Sequence, residues 1–202
     1  MTTEFKNGLW GPSECGPGSS MVNTQAIREQ LPTVFRTLGV YTVLDAPCGD
    51  FNWMRTVKHD GLDSYTGMDL NTEFIDANQK NYGNQSRTFV VGDIINSVLP
   101  KVDLIMCRDC LVHLSLQEGL SAVANFVRSG SSYLATTSYW NVSQNIDAKV
   151  GGWETQWRKI NPELPPYNLG CPVMSIIERG PSCVHGMDDY GKMLSVWSLQ
   201  GK

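Results

Sequence analysis

The stretch Thr42–Met54, with the sequence TVLDAPCGDFNWM, constrains the fold of this 202-residue chain more than any other. It starts with apolar residues and reaches an acid, Asp45, which predicts a buried strand with a polar tip. A tight turn follows, and then a predicted helix that carries Phe51, Trp53 and Met54. A strand that runs through such a turn into a helix predicts the first βα unit of a nucleotide-binding α/β sheet, whose ligands lie at the carboxyl ends of the strands.

The turn itself, Ala46-Pro47-Cys48-Gly49, has features that suit a bound ligand. Gly49 lets the backbone approach the ligand closely, and the first N–H groups of a following helix attract a negative group. Asp45, at the tip of the strand, is placed to accept hydrogen bonds from a cationic or hydroxyl-bearing ligand.

Two further predicted strands are also followed by acids. The strand Tyr65–Leu70 contains Asp69 near its end, at about the spacing (roughly 20 residues) at which dinucleotide folds place a ribose-binding acid. Alternatively, Asp69 caps the helix predicted from Thr72. The strand Thr88–Ile94 carries Asp93 just past its apolar part. Three acids in this order predict a polar ligand along the same edge of the sheet.

A fourth predicted strand, Val102–Cys107, precedes several candidate functional residues. Arg108, Asp109 and His113 follow it directly. The spacing Cys107-x-x-Cys110-x-x-His113 resembles that of a zinc site, but the segment offers no fourth ligand, so no metal is predicted. A fifth strand, Tyr133–Thr137, is followed by the aromatic pair Tyr139 and Trp140.

The segment Val43–His113 resembles the class I S-adenosylmethionine-dependent methyltransferases. Motif I of that family is an acid followed by G-x-G-x-G, and here Pro47 and Phe51 stand at two of its glycines. Asp69 matches motif II, and the pattern D-L-I-x-C-R-x-x-x-x-H-L ending after His113 matches motif IV. The resemblance implies an α/β fold: a seven-stranded, mostly parallel sheet with helices on both faces and an antiparallel C-terminal edge pair.

The same resemblance implies a site for S-adenosylmethionine. Asp45 and the motif I backbone would hold the amino-acid end, Asp69 the ribose, and Asp93 with Ile94 the adenine. The predicted cofactor-binding residues are Ser19, Asp45, Ala46, Pro47, Cys48, Gly49, Trp53, Asp69, Leu70, Asp93, Ile94 and Arg108. The acids beside motif I favour this cofactor over NAD, because a pyrophosphate requires N–H donors without carboxylates nearby.

The implied reaction is methyl transfer to an O or N nucleophile of a small molecule or exposed side chain. Asp109 and His113 are the candidate catalytic bases, although Asp109 also suits an ion pair with Arg108 and His113 a packed position beside the cofactor. Trp10, Tyr139 and Trp140 are the predicted substrate-binding residues. Two alternatives remain: another enzyme of the same fold, such as an aminopropyl transferase or S-adenosylmethionine lyase, and a non-catalytic module that binds the cofactor.

Composition and charge narrow the class of protein. The net charge of −4 and pI of 5.3 argue against a chain that mainly binds nucleic acid. No apolar run is long enough to span a membrane, and the N-terminus lacks a signal-peptide core, so we expect a cytoplasmic protein without a membrane partner. We expect residues 1–202 to form one domain, with residues 1–22 as a loop over the site and residues 141–172 as a substrate-facing insertion.

Overall fold

Seven strands form one sheet in the computed structural model, which describes residues 13–147, 157–178 and 191–202. The order across the sheet is β3-β2-β1-β4-β5-β7-β6. Neighbouring strands are parallel except that β7 is antiparallel to both β5 and β6. This arrangement confirms the predicted sheet and its antiparallel C-terminal edge pair. The strands are β1 (Thr42–Asp45), β2 (Ser64–Asp69), β3 (Arg87–Val91), β4 (Leu104–Cys107), β5 (Tyr133–Tyr139), β6 (Met174–Ile177) and β7 (Lys192–Ser198).

The α-helices of the described residues are α1 (Gln25–Leu38), α2 (Thr72–Tyr82) and α3 (Leu116–Arg128). Pro32 lies inside α1, which nevertheless continues as one helix. Short 3₁₀ turns occur at Pro17–Ser19, Met54–Thr56 and Leu111–His113. None of the described helices is long and apolar enough to cross a membrane.

Apolar side chains pack on both faces of the sheet. On one face, α1 contributes Ile27, Leu31, Val34 and Phe35, as its apolar periodicity predicts. On the other face, α3 contributes Ala122, Val123 and Phe126. Ala124 lies outside the buried stripe of α3 and is exposed.

The helix predicted directly after β1 is wrong. Phe51 has a left-handed backbone (φ 57°), which an α-helix does not contain, and only the 3₁₀ turn Met54–Thr56 follows it. The Phe51 ring is buried in an aromatic cluster, with ring centroids 5.1–5.3 Å from those of Tyr65, Tyr82 and Phe89. Packing of this ring therefore determines the local backbone in place of a helix.

The connection order of the strands creates a crevice beside β1. From β1 the chain proceeds outward through β2 to β3, and then returns to place β4 on the other side of β1. Ligands of open α/β sheets bind at such a topological switch point, outside the carboxyl ends of the strands. The tips of β1 and β4 are thus the expected position for a cofactor.

Candidate functional site

The motif I turn is fixed to both neighbouring strands by backbone hydrogen bonds. The Ala46 N–H donates to the carbonyl of Met106 on β4 (2.8 Å), and the Cys48 N–H donates to the carbonyl of Met68 on β2 (2.9 Å). Gly49 follows with φ 55°, a left-handed conformation that glycine adopts without strain. The predicted turn is therefore held rigidly at the switch point.

Asp69 is brought directly to this turn. One carboxylate oxygen accepts a hydrogen bond from the Gly49 N–H (2.9 Å), and the other accepts one from the Asn71 N–H (2.9 Å). The α2 N-cap is Asn71, whose side chain accepts from the N–H groups of Glu73 and Phe74. Asp69 thus supports the turns on both sides of the crevice and does not itself cap α2.

Asp45 lies at the tip of β1 and is 3% exposed. Its carboxylate accepts a hydrogen bond from the Tyr65 hydroxyl at 2.5 Å. Burial raises the pKa of Asp45 to about 7, although the bond from Tyr65 opposes the rise, and the nearby charge of Asp69 adds to it. Asp45 is therefore poised between its two charge states near neutral pH, and a cationic ligand beside it would favour the ionised form.

Asp93 and its neighbours lie beyond the end of β3. The Asp93 carboxylate accepts hydrogen bonds from the Ile95 N–H (2.8 Å) and the Asn96 side-chain amide (2.7 Å), which order the turn. Ile94 is buried, whereas Leu70, just past β2, is 69% exposed. The exposed apolar surface of Leu70 at this edge is suited to packing against a planar ligand.

The N-terminal loop, residues 13–20, lies against motif I. The Glu14 N–H donates to the Asp50 carboxylate (2.9 Å), and the Asp50 N–H donates to the Cys15 sulfur (3.2 Å). The Asn52 side-chain amide donates to the carbonyl of Ser19 (3.1 Å). Ser19 is thus placed beside the motif I segment, while Trp10 lies outside the described residues.

A charged network of Arg108, Asp109, Glu178 and Lys192 lies next to the crevice. Asp109 Oδ2 is 3.0 Å from Arg108 Nη1 and 2.8 Å from Lys192 Nζ. Glu178 Oε2 is 2.7 Å from Arg108 Nη2 and 3.4 Å from Lys192 Nζ. The Arg108 guanidinium also lies 5.5 Å from the centre of the Trp53 ring, a cation–π distance. Two cations and two carboxylates therefore neutralise each other within a largely buried cluster.

The two candidate bases differ in their surroundings. Burial alone would raise the pKa of Asp109, but the charges of Arg108 and Lys192 outweigh it and hold that pKa well below its usual range. His113 has an exposed side chain, yet partial desolvation of its ring lowers its pKa below the ordinary value. At neutral pH, Asp109 is thus a paired carboxylate and His113 a neutral imidazole.

Of the two aromatic residues at the end of β5, one is packed and the other is exposed. Tyr139, the last residue of β5, is buried and meets Trp157 edge to face at 6.1 Å between ring centroids. Trp140 is 53% exposed. Trp140 thus presents more surface to an acceptor than Tyr139. The described part of the chain contains no group of three histidine, cysteine or acidic residues placed to hold a metal ion.

Residues 43–130 match the family model described as "Methyltransferase domain". This segment contains motif I, Asp69, Asp93 and the whole β4 turn. The match confirms the predicted enzyme class, whose cofactor is S-adenosylmethionine. No curated protein is significantly similar to the chain in sequence.

Solved structures share the fold of this chain at low sequence identity. The N-methyltransferase NodS from Bradyrhizobium japonicum WM9, in complex with S-adenosyl-L-homocysteine, is 16% identical with a TM-score of 0.66, over 96% of this chain and 95% of that chain. Magnesium protoporphyrin IX methyltransferase from Synechocystis PCC 6803, with bound SAH, is 13% identical with a TM-score of 0.60, over 87% and 84%. The [4+2]-cyclase SpnF is 17% identical with a TM-score of 0.53, over 69% and 54%.

Sequence reasoning missed two members of the charged network and the partner of Asp45. Glu178 and Lys192 flank apolar strands, and a charged residue beside an apolar run was the available signal. Tyr65 gave no signal, because an aromatic residue in a strand is ordinary. The long sequence separations of these contacts hid them from any local pattern.

Proposed function

We propose that this chain transfers the methyl group of S-adenosylmethionine to an O or N nucleophile of a small molecule or exposed side chain. The observation that supports this most is the joint position of motif I and Asp69, connected by the 2.9 Å bond from the Gly49 N–H. This bond brings the proposed ribose acceptor against the turn proposed for the amino-acid end. Asp45, Asp93 and Ile94 extend the proposed site along the same edge of the sheet.

In this proposal, S-adenosylmethionine supplies the electrophilic methyl group and the protein positions the acceptor in line with it. Asp45 provides a carboxylate for the positively charged part of the cofactor. Trp53, buried beside the Arg108 guanidinium, closes the same region. We further propose that residues 1–202 act as one domain, with residues 1–22 over the cofactor and residues 141–172, together with Trp10, Tyr139 and Trp140, toward the acceptor.

His113 is the better candidate for a general base. It lies on the 3₁₀ turn after β4, its ring is neutral at pH 7, and its side chain is exposed. Asp109, in contrast, is occupied by two cations and by the Thr137 hydroxyl. We therefore propose His113 as the residue that accepts a proton where the acceptor carries one.

Calorimetry with S-adenosylmethionine tests the binding half of the proposal, and release of S-adenosylhomocysteine across a metabolite library tests the reaction. For an acceptor found in this way, His113→Ala should lower the single-turnover rate by roughly 10²–10⁴ at saturating cofactor, with cofactor affinity nearly unchanged. A wild-type rate would leave proximity as the whole mechanism. A parallel loss of affinity and rate would place His113 in the cofactor pocket.

A non-methylating enzyme is the second candidate function, because the same fold occurs in the [4+2]-cyclase SpnF. In that case the chain would bind the cofactor without releasing its demethylated form in the presence of any acceptor. Mass analysis of the cofactor after incubation with the library distinguishes the two. The acidic net charge favours a small or protein acceptor over nucleic acid, and we propose the cytoplasm as the site of action.

A further inference from the structure

The members of the charged network come from separate parts of the chain but meet at one edge of the sheet. Arg108 and Asp109 follow β4, Glu178 follows β6, and Lys192 is the first residue of β7. Because β7 is antiparallel to both of its neighbours, its first residue lies at the edge where the other strands have their carboxyl ends. The network therefore lies at the same edge as the cofactor crevice.

The Asp109 carboxylate is held in place from three sides. Oδ2 is bonded to Arg108 and Lys192, and Oδ1 accepts a hydrogen bond from the Thr137 hydroxyl at 3.0 Å. The same hydroxyl accepts a hydrogen bond from the Asp109 N–H at 2.8 Å, so the backbone is fixed as well. Glu178 in turn holds both cations. A carboxylate fixed by this many partners does not move aside for a neighbouring group.

The N-terminal loop rests on this carboxylate at Gly18. A Cβ atom at position 18 would lie 2.6 Å from Asp109 Oδ2 and 3.9 Å from Lys192 Nζ, so only glycine allows the observed approach. The loop is also bonded to motif I, through Cys15 to the Asp50 N–H and through the Ser19 carbonyl to Asn52. It therefore passes from the tip of β1 to the tip of β4, across the switch point.

We propose that Lys192 and Glu178 are positioning residues of the methyl-transfer site. With Arg108, they fix the Asp109 carboxylate, and Gly18 packs against this carboxylate when the N-terminal loop closes over the cofactor. This inference rests on the proposed function. It gives Asp109 a role in holding the N-terminal loop over the cofactor crevice. It also gives a function to Glu178 and Lys192, which lie outside the recognised motifs. The closed loop is the state that binds the cofactor. When the Asp109 carboxylate is no longer fixed, the apparent cofactor affinity therefore falls in proportion to the fraction of molecules that remain closed.

The first experiment compares Lys192→Met with Lys101→Met, an exposed lysine that serves as the matched control. If the closed fraction falls to about a tenth, the affinity for S-adenosylhomocysteine in calorimetry falls about tenfold in Lys192→Met and not in the control. Lys192→Arg retains the charge and should restore most of the affinity. Equal affinity in Lys192→Met and the wild-type chain would overturn the proposal.

The second experiment changes the N-terminal loop and leaves the charged network intact. Gly18→Ala should weaken S-adenosylhomocysteine binding by a similar factor, because its methyl group collides with the fixed carboxylate. The double variant Gly18→Ala/Lys192→Met should then bind no worse than the weaker single variant, because without Lys192 the Asp109 carboxylate can move away from the added methyl group. Multiplying losses would show that the two residues act independently and would overturn the proposal.

Hydrogen exchange provides a test that needs no ligand. The Ser19 and Ser20 N–H groups donate to the carbonyls of Gly16 and Pro17 within the loop (3.1 Å each), and both should exchange faster in Lys192→Met. The Ala46 N–H, bonded to β4, should remain protected as an internal control. Unchanged exchange at Ser19 and Ser20 would overturn the proposal. If the wild-type chain fails to bind S-adenosylhomocysteine, the proposed function fails, and this exchange measurement still decides the role of Lys192.

Discussion

Asp45 occupies a buried position in which a charge is unfavourable, and its protonation links pH to stability. In the unfolded chain its pKa is near the ordinary value of about 3.9. In the folded chain, burial raises the pKa to about 7, against the opposing hydrogen bond from Tyr65. Between these values the folded state retains a proton that the unfolded state has lost, so raising the pH in this window favours unfolding.

We therefore expect Asp45→Asn to remove a pH-dependent destabilisation. The free energy of unfolding of the ligand-free wild-type chain, relative to Asp45→Asn, should fall as the pH rises from about 4 to 7, by on the order of 4 kcal/mol, and then level off. Urea unfolding of both proteins at intervals across this range measures the difference. A difference that is independent of pH would show that Asp45 ionises normally in the folded state.

Asp69 supports the cofactor crevice through its two carboxylate oxygens, which accept from Gly49 and Asn71. Asp69→Ala should weaken S-adenosylmethionine binding at least tenfold, because Asp69 is the proposed acceptor for the ribose and a charge-assisted hydrogen bond contributes roughly 1.5–3 kcal/mol. Calorimetry measures the affinity, and Asp76→Ala, an exposed acid on α2, is the matched control. Equal affinities of the two variants would remove Asp69 from the site.

At the scale of single elements, Phe51 shows how one side chain can replace a helix. Its ring contacts Tyr65, Tyr82 and Phe89, and the Arg87 guanidinium lies 5.2 Å from its centre. Phe51→Ala should lower the free energy of unfolding by about 3–5 kcal/mol, as measured by urea unfolding. Tyr41→Ala, at an exposed aromatic residue, should change it by no more than about 0.5 kcal/mol. A small effect of Phe51→Ala would mean that the aromatic cluster repacks.

Predictions for elements succeeded where periodicity was strong and failed where a distant partner decided. The apolar stripe of α1 and the Ser115 capping box of α3 are local sequence signals, and both helices form. The strand and turn before Asp50 predicted a helix, but Phe51 has a left-handed backbone and its ring packs on aromatic rings from β2, α2 and β3. No pattern within residues 50–56 reports those rings.

Local patterns predicted where the candidate site lies, but they could not predict its contacts between distant residues. Asp45, Asp69 and Asp93 follow three apolar runs, and parallel strands bring such tips to one edge, so their common location follows from the sequence. The sequence suggested the Arg108–Asp109 ion pair. The rest of the charged network could not be predicted, because Glu178 and Lys192 reach this pair only through the antiparallel pairing of β7. Charge pairing at such separation depends on the complete sheet order.

At the scale of the whole molecule, cofactor binding and folding are coupled, because the proposed site draws on β1, β2, β4 and the N-terminal loop together. A ligand that binds only the folded chain stabilises it by about 2.7 kcal/mol at 100 times its dissociation constant. For a chain of this size, each kcal/mol of stabilisation raises Tm by roughly 2–4 °C, so S-adenosylhomocysteine at that concentration should raise Tm by about 5–10 °C.

NAD at an equal concentration should leave Tm unchanged, since the carboxylates of Asp45, Asp50 and Asp69 around motif I repel a pyrophosphate. Thermal unfolding of the wild-type chain and of Asp69→Ala with each ligand measures both effects, and the variant should lose most of the shift. A rise in Tm with NAD that matches the rise with S-adenosylhomocysteine would contradict the assignment of the crevice to S-adenosylmethionine.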